Sequence, residues 1–292
     1  MMRHLFYHYD LDGYTAGSAA HWTGTWTSEE PRKEALHEMD YDHYKSVMDL
    51  VSPGDEVVIV DYSFKPAEML WLKKYCRTVW VDHHVSAIRD SEKFGYSDLP
   101  GLRKIGDSGA ELAWDYFQRT ARPEYVRLVG EYDTFRNFAD TAFFQNKVVP
   151  FYYGAEAEMQ GLEPEHFRPS AMSMSTVLDF QRTGNIIKQY KIATGKRLYS
   201  EVSYVKELWG FKCLCVNTPE QGSLFLTMTG VFDPSKHDLM FTYSFNGQKW
   251  CYGWYTDGHP EVNCADIARQ YGGGGHQGAA GACSEKLIEG VL

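Results

Sequence analysis

Three short apolar runs in this sequence each end on a carboxylate. Leu5-Phe6-Tyr7 leads into His8-Tyr9-Asp10-Leu11-Asp12-Gly13, Val57-Val58-Ile59-Val60 into Asp61, and Val79-Trp80-Val81 into Asp82-His83-His84. Carboxylates supply hard oxygen donors to cations, and neutral imidazole is the commonest transition-metal ligand. Several carboxylates gathered in a dry place cannot all stay ionised without cations to hold them. The chemistry to expect is that of a metal centre, with more than one metal.

The runs also say what must bring these residues together. Continuous apolar segments rich in β-branched residues read as strands buried on both faces of a parallel sheet. Ligand sites in such sheets form at the carboxyl ends of the strands. Between the runs, Thr15 to Trp22, Tyr44 to Leu50 and Ala67 to Tyr75 are helix-compatible, the last opened by Pro66. Ala35 to Met39 reads as a further strand, and Ser52-Pro53-Gly54-Asp55 as a turn ahead of Val57. This alternation predicts an α/β fold with a doubly wound, mainly parallel sheet.

Further along, Ser108 reads as a helix N-cap with Glu111 three residues on, and Asp133 falls in a following helix or loop. From Phe211 the texture becomes aromatic and β-prone. Cys213 to Val216, Leu239 to Tyr243 and Trp250 to Tyr255 read as strands, with Asn246-Gly247 as a hairpin turn, and Cys264 to Tyr271 as a helix. The expected division is a catalytic domain over residues 1–170, a mainly helical connector over 171–206 and a smaller α+β domain over 207–292.

Each motif has a plainer reading beside the chemical one. His8, Asp10 and Asp12 share one face in a strand and can wrap a cation in a turn, but an Asp-rich turn capping the next helix, with Gly13 supplying unusual backbone angles, fits equally. Asp61 alone reads as a cap or a turn residue. Adjacent histidines after a buried strand are harder to explain by packing, and their side chains point in opposite directions. One is expected on metal, the other towards substrate or core. Gly272-Gly273-Gly274-Gly275-His276 follows a helix, so it lacks the strand-then-helix context of a dinucleotide fingerprint. Bare backbone N–H groups there suit close approach to a phosphate or ribose, while a simple connector is the alternative.

Composition narrows the partners. The chain has 292 residues, 43% hydrophobic and 15% aromatic, as suits a packed globular protein. Lys+Arg total 29 against Asp+Glu 39, a net charge of −10. Proteins that hold long nucleic acid by its backbone usually carry basic surfaces, so long duplexes are not expected as partners. Short oligonucleotides and small nucleotides remain, because metals can neutralise their phosphates locally. No stretch approaches the roughly 18–20 apolar residues of a membrane span, and Met1-Met2-Arg3-His4 lacks a signal-peptide layout. The six cysteines form no C-x-x-C pair and read as reduced packing residues, so the cytoplasm is the expected compartment. Oligomeric state is open, a homodimer being one expectation.

Taken together, these residues resemble the DHH phosphoesterase superfamily over most of the chain. His8-x-Asp10-x-Asp12-Gly13 looks like its first motif, Asp61 its second, Asp82-His83-His84 its third and Asp133 its fourth. Asn263 to Ala268 followed by Gly272 to Gly281 resembles the end of the DHH-associated C-terminal domain. Members include RecJ-type exonucleases, oligoribonucleases that also dephosphorylate phosphoadenosine phosphate, cyclic-dinucleotide phosphodiesterases and exopolyphosphatases. The resemblance implies two divalent ions, Mn²⁺ first and Mg²⁺ second. His8, Asp10 and Asp61 would hold one, and Asp12, Asp61, His83 and Asp133 the other. Asp82 would support the ligands from behind, His84 would touch phosphate, and Gly273, Gly274, Gly275 and His276 would contact substrate. It implies hydrolysis of short oligonucleotides or small nucleotides, with polyphosphate or cyclic dinucleotides as alternative substrates and an inactive nucleotide sensor as the non-enzyme alternative. One departure stands out. Members of the oligoribonuclease type carry an Arg before the Asn263-type helix, where Tyr255 to Pro260 has none; Lys249, His259 and Arg269 are the basic residues nearby.

Overall fold

A computed structural model describes residues 2–22, 34–40, 45–137, 141–159, 164, 168–169, 172–219 and 230–291. The chain divides into two compact units, Met1–Lys188 and Gln189–Leu292.

The first unit is built on four strands: β1 (Arg3–His8), β2 (Glu34–Met39), β3 (Glu56–Val60) and β4 (Arg77–Val81). They lie in the order β2-β1-β3-β4, all parallel. Leu5 and Phe6 of β1 and Val57 to Val60 of β3 have no solvent exposure, which is why those runs are apolar without alternation. One face packs Phe6, Val57, Ile59 and Trp80 against Met69, Leu72 and Tyr96. The other carries α1 (Leu11–His21) over β1 and β3. Each fully buried Val, Leu or Ile contributes roughly 1.5–3 kcal/mol. Tyr7 pairs with Val60, and Val60 with Val81, so the three strands end level with one another.

Two helices follow the strands, α2 (Pro66–Tyr75) after β3 and α3 (Val85–Phe94) after β4. Pro66 opens α2, where its missing N–H costs nothing, and Gly95 closes α3 at a φ of 86°. The rest of the unit is helical: α4 (Gly109–Ala113), running into a π-turn over Trp114–Gln118, α5 (Glu124–Asp133), α6 (Thr141–Phe143) and α7 (Val149–Met159). Ser108 and Glu111 form the capping box of α4. The long helix α8 (Met174–Val202) contains the division between the units.

The second unit carries a six-stranded sheet in the order β5-β6-β7-β8-β10-β9. Its strands are β5 (Ser203–Leu208), β6 (Phe211–Asn217), β7 (Leu239–Phe245), β8 (Trp250–Tyr255), β9 (Gly274–Gly275) and β10 (Ala279–Ser284). β6 and β7 are parallel and the other pairs antiparallel. Helix α9 (Cys264–Arg269) adds Cys264, Ile267 and Ala268 to a core with Phe241, Tyr252 and Trp254.

Several local expectations are corrected. The first helix begins at Leu11, since Asp10 caps it by accepting the Gly13 N–H. Gly13 is needed for space: a Cβ there would lie 2.4 Å from the His8 carbonyl oxygen. Of the helix expected over Tyr44 to Leu50, Tyr44 lies outside the described residues, and a single 3₁₀ turn forms at Val47–Asp49. The segment is too short to nucleate more, and Glu68 of α2 accepts the Val47 N–H instead. The glycine run is partly ordered as strand β9, with the Gly272, Gly273 and His276 amides already hydrogen-bonded to backbone. None of the six cysteines forms a disulfide among the described residues, but Cys76 and Cys283 are only half-buried. Among the described residues no helix is long and apolar enough to cross a membrane.

Candidate metal centre

The level strand ends place His8, Asp61 and Asp82 side by side. His8 ends β1, Asp10 caps α1 and Asp12 lies buried in its first turn. Asp61 follows β3 with a φ of 52°, a left-handed conformation that Asp tolerates better than bulkier residues. Its N–H still continues the ladder to Val81 O at 2.9 Å, so the twist aims only the side chain. His83 and His84 lie between β4 and α3, and Asp133 is the last residue of α5. Thus eight predicted residues, His8, Asp10, Asp12, Asp61, Asp82, His83, His84 and Asp133, belong to the first unit. Gly273, Gly274, Gly275 and His276 belong to the second.

Donor atoms of the first set form three overlapping groups, within each of which all lie no more than 4.8 Å apart. They are His8, Asp10 and Asp61; Asp61, His83 and His84; and Asp12, His83 and Asp133. His8 Nδ1 lies 2.7 Å from Asp10 Oδ2 and 4.0 Å from Asp61 Oδ2. His83 Nε2 lies 3.2 Å from Asp61 Oδ1 and 3.6 Å from Asp133 Oδ2. Asp61 therefore reaches both sides, one oxygen towards His8 and the other towards His83.

Asp82 has a different part. It is fully buried, and its Oδ1 accepts from the His83 and His84 amides at 2.7 and 3.1 Å and contacts His84 Nδ1 at 2.7 Å. It fixes the geometry of the pair and holds the His84 ring. Asp12 is pinned from elsewhere: the Gly109 and Ala110 amides at the start of α4 donate to its two oxygens at 2.7 and 3.1 Å.

The charge state shows a cluster in need of cations. Burial pushes the Asp61 carboxyl well above the ordinary range, and Asp12 and Asp10 add to the push. Burial and Asp12 raise Asp133 to about 7. Burial also raises Asp12, with Asp10 adding to it against the opposing pull of His83. Burial pulls His8 down, but Asp10 and Asp61 outweigh it and take the imidazole to about 9. The same competition, with Asp82 as the main partner, takes His84 to about 9. Burial opposes ionisation of Asp82 too, yet His84 and His83 hold it below the usual carboxylate range. Asp61 Oδ1 and Asp133 Oδ2 are buried without a hydrogen bond among the described residues. Buried polar atoms are rarely left so, and here both point at His83 Nε2 within a set of metal-type donors. The residues fit divalent cations.

Two of the basic residues near the position of the expected Arg are engaged locally. Arg269 pairs with Asp266 at 2.6 Å, and His259 Nε2 lies 3.5 Å from Asp238. Not read from the sequence is a pair of arginines, Arg122 and Arg136, joined to Asp107 and Glu111 behind the candidate ligands. The only sequence signal was the capping-box glutamate itself.

No family model matches the chain, and no curated protein matches it. Solved structures do. A DHH domain from a protein described as a member of the s1p family of ribosomal proteins aligns over 100% of this chain and 84% of its own, with 15% identity and a TM-score of 0.62. RecJ from Thermus thermophilus, solved in complex with Mn²⁺, aligns over 99% of this chain and 50% of its own, at 15% identity and a TM-score of 0.54. A pGpG-specific phosphodiesterase from Vibrio cholerae aligns over 98% and 94%, at 13% identity and a TM-score of 0.53. With four parallel strands, a second mixed sheet and these neighbours, the chain has the fold of the DHH superfamily.

Proposed function

We propose that the chain is a two-cation phosphoesterase acting on short oligonucleotides or small nucleotides. The observation that carries this reading is the partly buried row His8-Asp10-Asp61-His83-Asp133-Asp12, in which Asp61 reaches both ends and two carboxylate oxygens lack hydrogen bonds among the described residues. His8, Asp10 and Asp61 would hold one ion, and Asp12, Asp61, His83 and Asp133 the other. Oxygen-rich donors with some imidazole and no thiolate favour Mn²⁺, then Mg²⁺. Bound there, such ions supply Lewis acidity, lowering the pKa of water and offsetting charge on the phosphoryl oxygens.

The chain's own residues do the positioning. Asp82 holds His84 and, in the cation-free chain, raises its pKa to about 9 against the effect of burial, favouring a proton on the ring. His84 is then a charged donor for a phosphate oxygen, strongest where negative charge builds in the transition state. Gly273, Gly274, Gly275 and His276 are proposed to contact the remainder of the substrate. The net charge of −10 suits a small anion held locally rather than a long polyanion. The likeness to the pGpG-specific enzyme over nearly all of both chains makes a linear dinucleotide the first substrate to test.

The experiment is a panel with Mn²⁺ or Mg²⁺: linear dinucleotides, short RNA and DNA, phosphoadenosine phosphate, cyclic dinucleotides and polyphosphate. Metal-dependent hydrolysis of a dinucleotide or short oligomer is expected. Hydrolysis of polyphosphate alone would favour the exopolyphosphatase reading, and no turnover of any would overturn the proposal.

A further inference from the structure

Behind the ligands lies a cluster of charges that no role above uses. Glu111 is only 2% exposed, and an acidic residue is almost never so buried unless it is paired. One carboxylate oxygen, Oε2, accepts the Ser108 amide at 3.2 Å and so closes the start of α4. The other, Oε1, accepts from Arg122 Nη1 and Arg136 Nη2, each at 2.8 Å. Arg136 also binds Asp107, Glu131 and the Gly106 carbonyl, at 3.2, 3.3 and 3.1 Å. Helix α5 comes so close that a Cβ on Gly130 would lie 2.5 Å from Glu111 Cδ.

The two oxygens of Glu111 thus lead to two different ligands. Through Oε2, Glu111 orders the turn whose next amides, Gly109 and Ala110, grip Asp12. Through Oε1 and Arg136, it anchors the chain three residues beyond Asp133. Asp12 and Asp133 belong to one donor group with His83. We propose that Glu111, acting through Arg136, is a positioning residue that sets Asp12 against Asp133 and so governs one cation of the pair. The proposal rests on the two-cation reading of the site. Outer partners of metal ligands commonly change affinity by about 10–100-fold when altered.

The test is Mn²⁺ binding to metal-free protein, by calorimetry and electron paramagnetic resonance, which separates two coupled ions from one isolated ion. Wild type should bind two Mn²⁺ and show the coupled signal. Glu111→Gln should weaken one of them by about 10–100-fold, affect the other less, and replace the coupled signal by an isolated one at matched metal. Gly130→Ala, which crowds Glu111 without removing charge, should shift the same ion. Arg136→Lys is the milder variant should either fail to fold. Adding Glu111→Gln to Asp133→Asn should cost less than the sum of the two, since part of its effect runs through Asp133, whereas its cost and that of Asp10→Asn should add. Fewer than two ions on wild type would overturn the metal centre itself, and the proposal with it. Two ions on wild type with equal weakening of both in the variants, or a lower Tm with an unchanged affinity ratio, would overturn the positioning role alone.

Discussion

Gly109 and Asp61 are interlocked: a Cβ on residue 109 would lie 2.4 Å from the Asp61 Cβ and 2.5 Å from Oδ1. The same glycine donates its N–H to Asp12 at 2.7 Å. One bare Cα therefore lets two candidate ligands approach each other. Gly109→Ala should displace the Asp61 carboxylate and lower kcat/KM by about a hundredfold, the usual cost of an ångström-scale misplacement at a reacting centre. Steady-state kinetics on a short oligonucleotide with Mn²⁺ is the check. A Gly109→Ala protein with wild-type kcat/KM would mean that Asp61 need not sit where it does.

His84 is expected to act on substrate and Asp61 on the ions, so their variants should differ in kind. His84→Gln should lower kcat by roughly 100-fold, with two Mn²⁺ still bound, because a phosphate donor acts chiefly in the transition state. Loss of an ion in that variant would instead make His84 a ligand, as its grouping with Asp61 and His83 also permits.

Much of this was legible in the sequence, for physical reasons. A strand buried on both faces has to be apolar throughout, so Leu5 to Tyr7, Val57 to Val60 and Val79 to Val81 announce themselves, and the polar residue that ends each run marks the sheet edge. The partners that hold those residues were not legible. Asp12 is gripped by amides 97 and 98 residues away, and amides carry no residue-type signal. Glu111 and Arg136 are 25 residues apart, and only the approach of α5 to α4 makes them neighbours. Gly13 reads as a turn residue with unusual backbone angles, whereas it is set by the space that His8 occupies.

Cation binding should release protons. In the metal-free protein, burial and neighbouring carboxylates raise Asp133 to about 7, and Asp10 and Asp61 take His8 to about 9 against the effect of burial. Both groups hold protons in the folded chain at pH values where the unfolded chain has lost them. Metal-free stability should therefore fall as pH rises from about 4 through 7 for Asp133 and from about 6.5 through 9 for His8. Mn²⁺ must displace those protons, so its affinity should rise over the same range, by up to about tenfold per pH unit for each proton released. Calorimetry in buffers of different ionisation enthalpy measures the count. An affinity constant from pH 6 to 9 would contradict the protonation pattern.

Gly274 offers a clean probe of the second unit. A Cβ there meets nothing within 4 Å, so Gly274→Ala should leave Tm unchanged within about 1–2 °C. If the glycine run touches substrate, the added methyl should raise KM by about tenfold and leave Mn²⁺ binding alone. Unchanged KM for every substrate in the panel would remove this position from the contact surface.

Two cations acting together are tested most directly by titrating metal-free protein with Mn²⁺ while following hydrolysis of a short oligonucleotide. The rate should stay low through the first equivalent, climb with the second and saturate at two per chain. Asp61→Asn, which weakens the one carboxylate shared by both ends of the row, should fall by at least about a thousandfold at every ratio. Saturation at a single equivalent, turnover indifferent to Mn²⁺, or a fully active Asp61→Asn protein would contradict it.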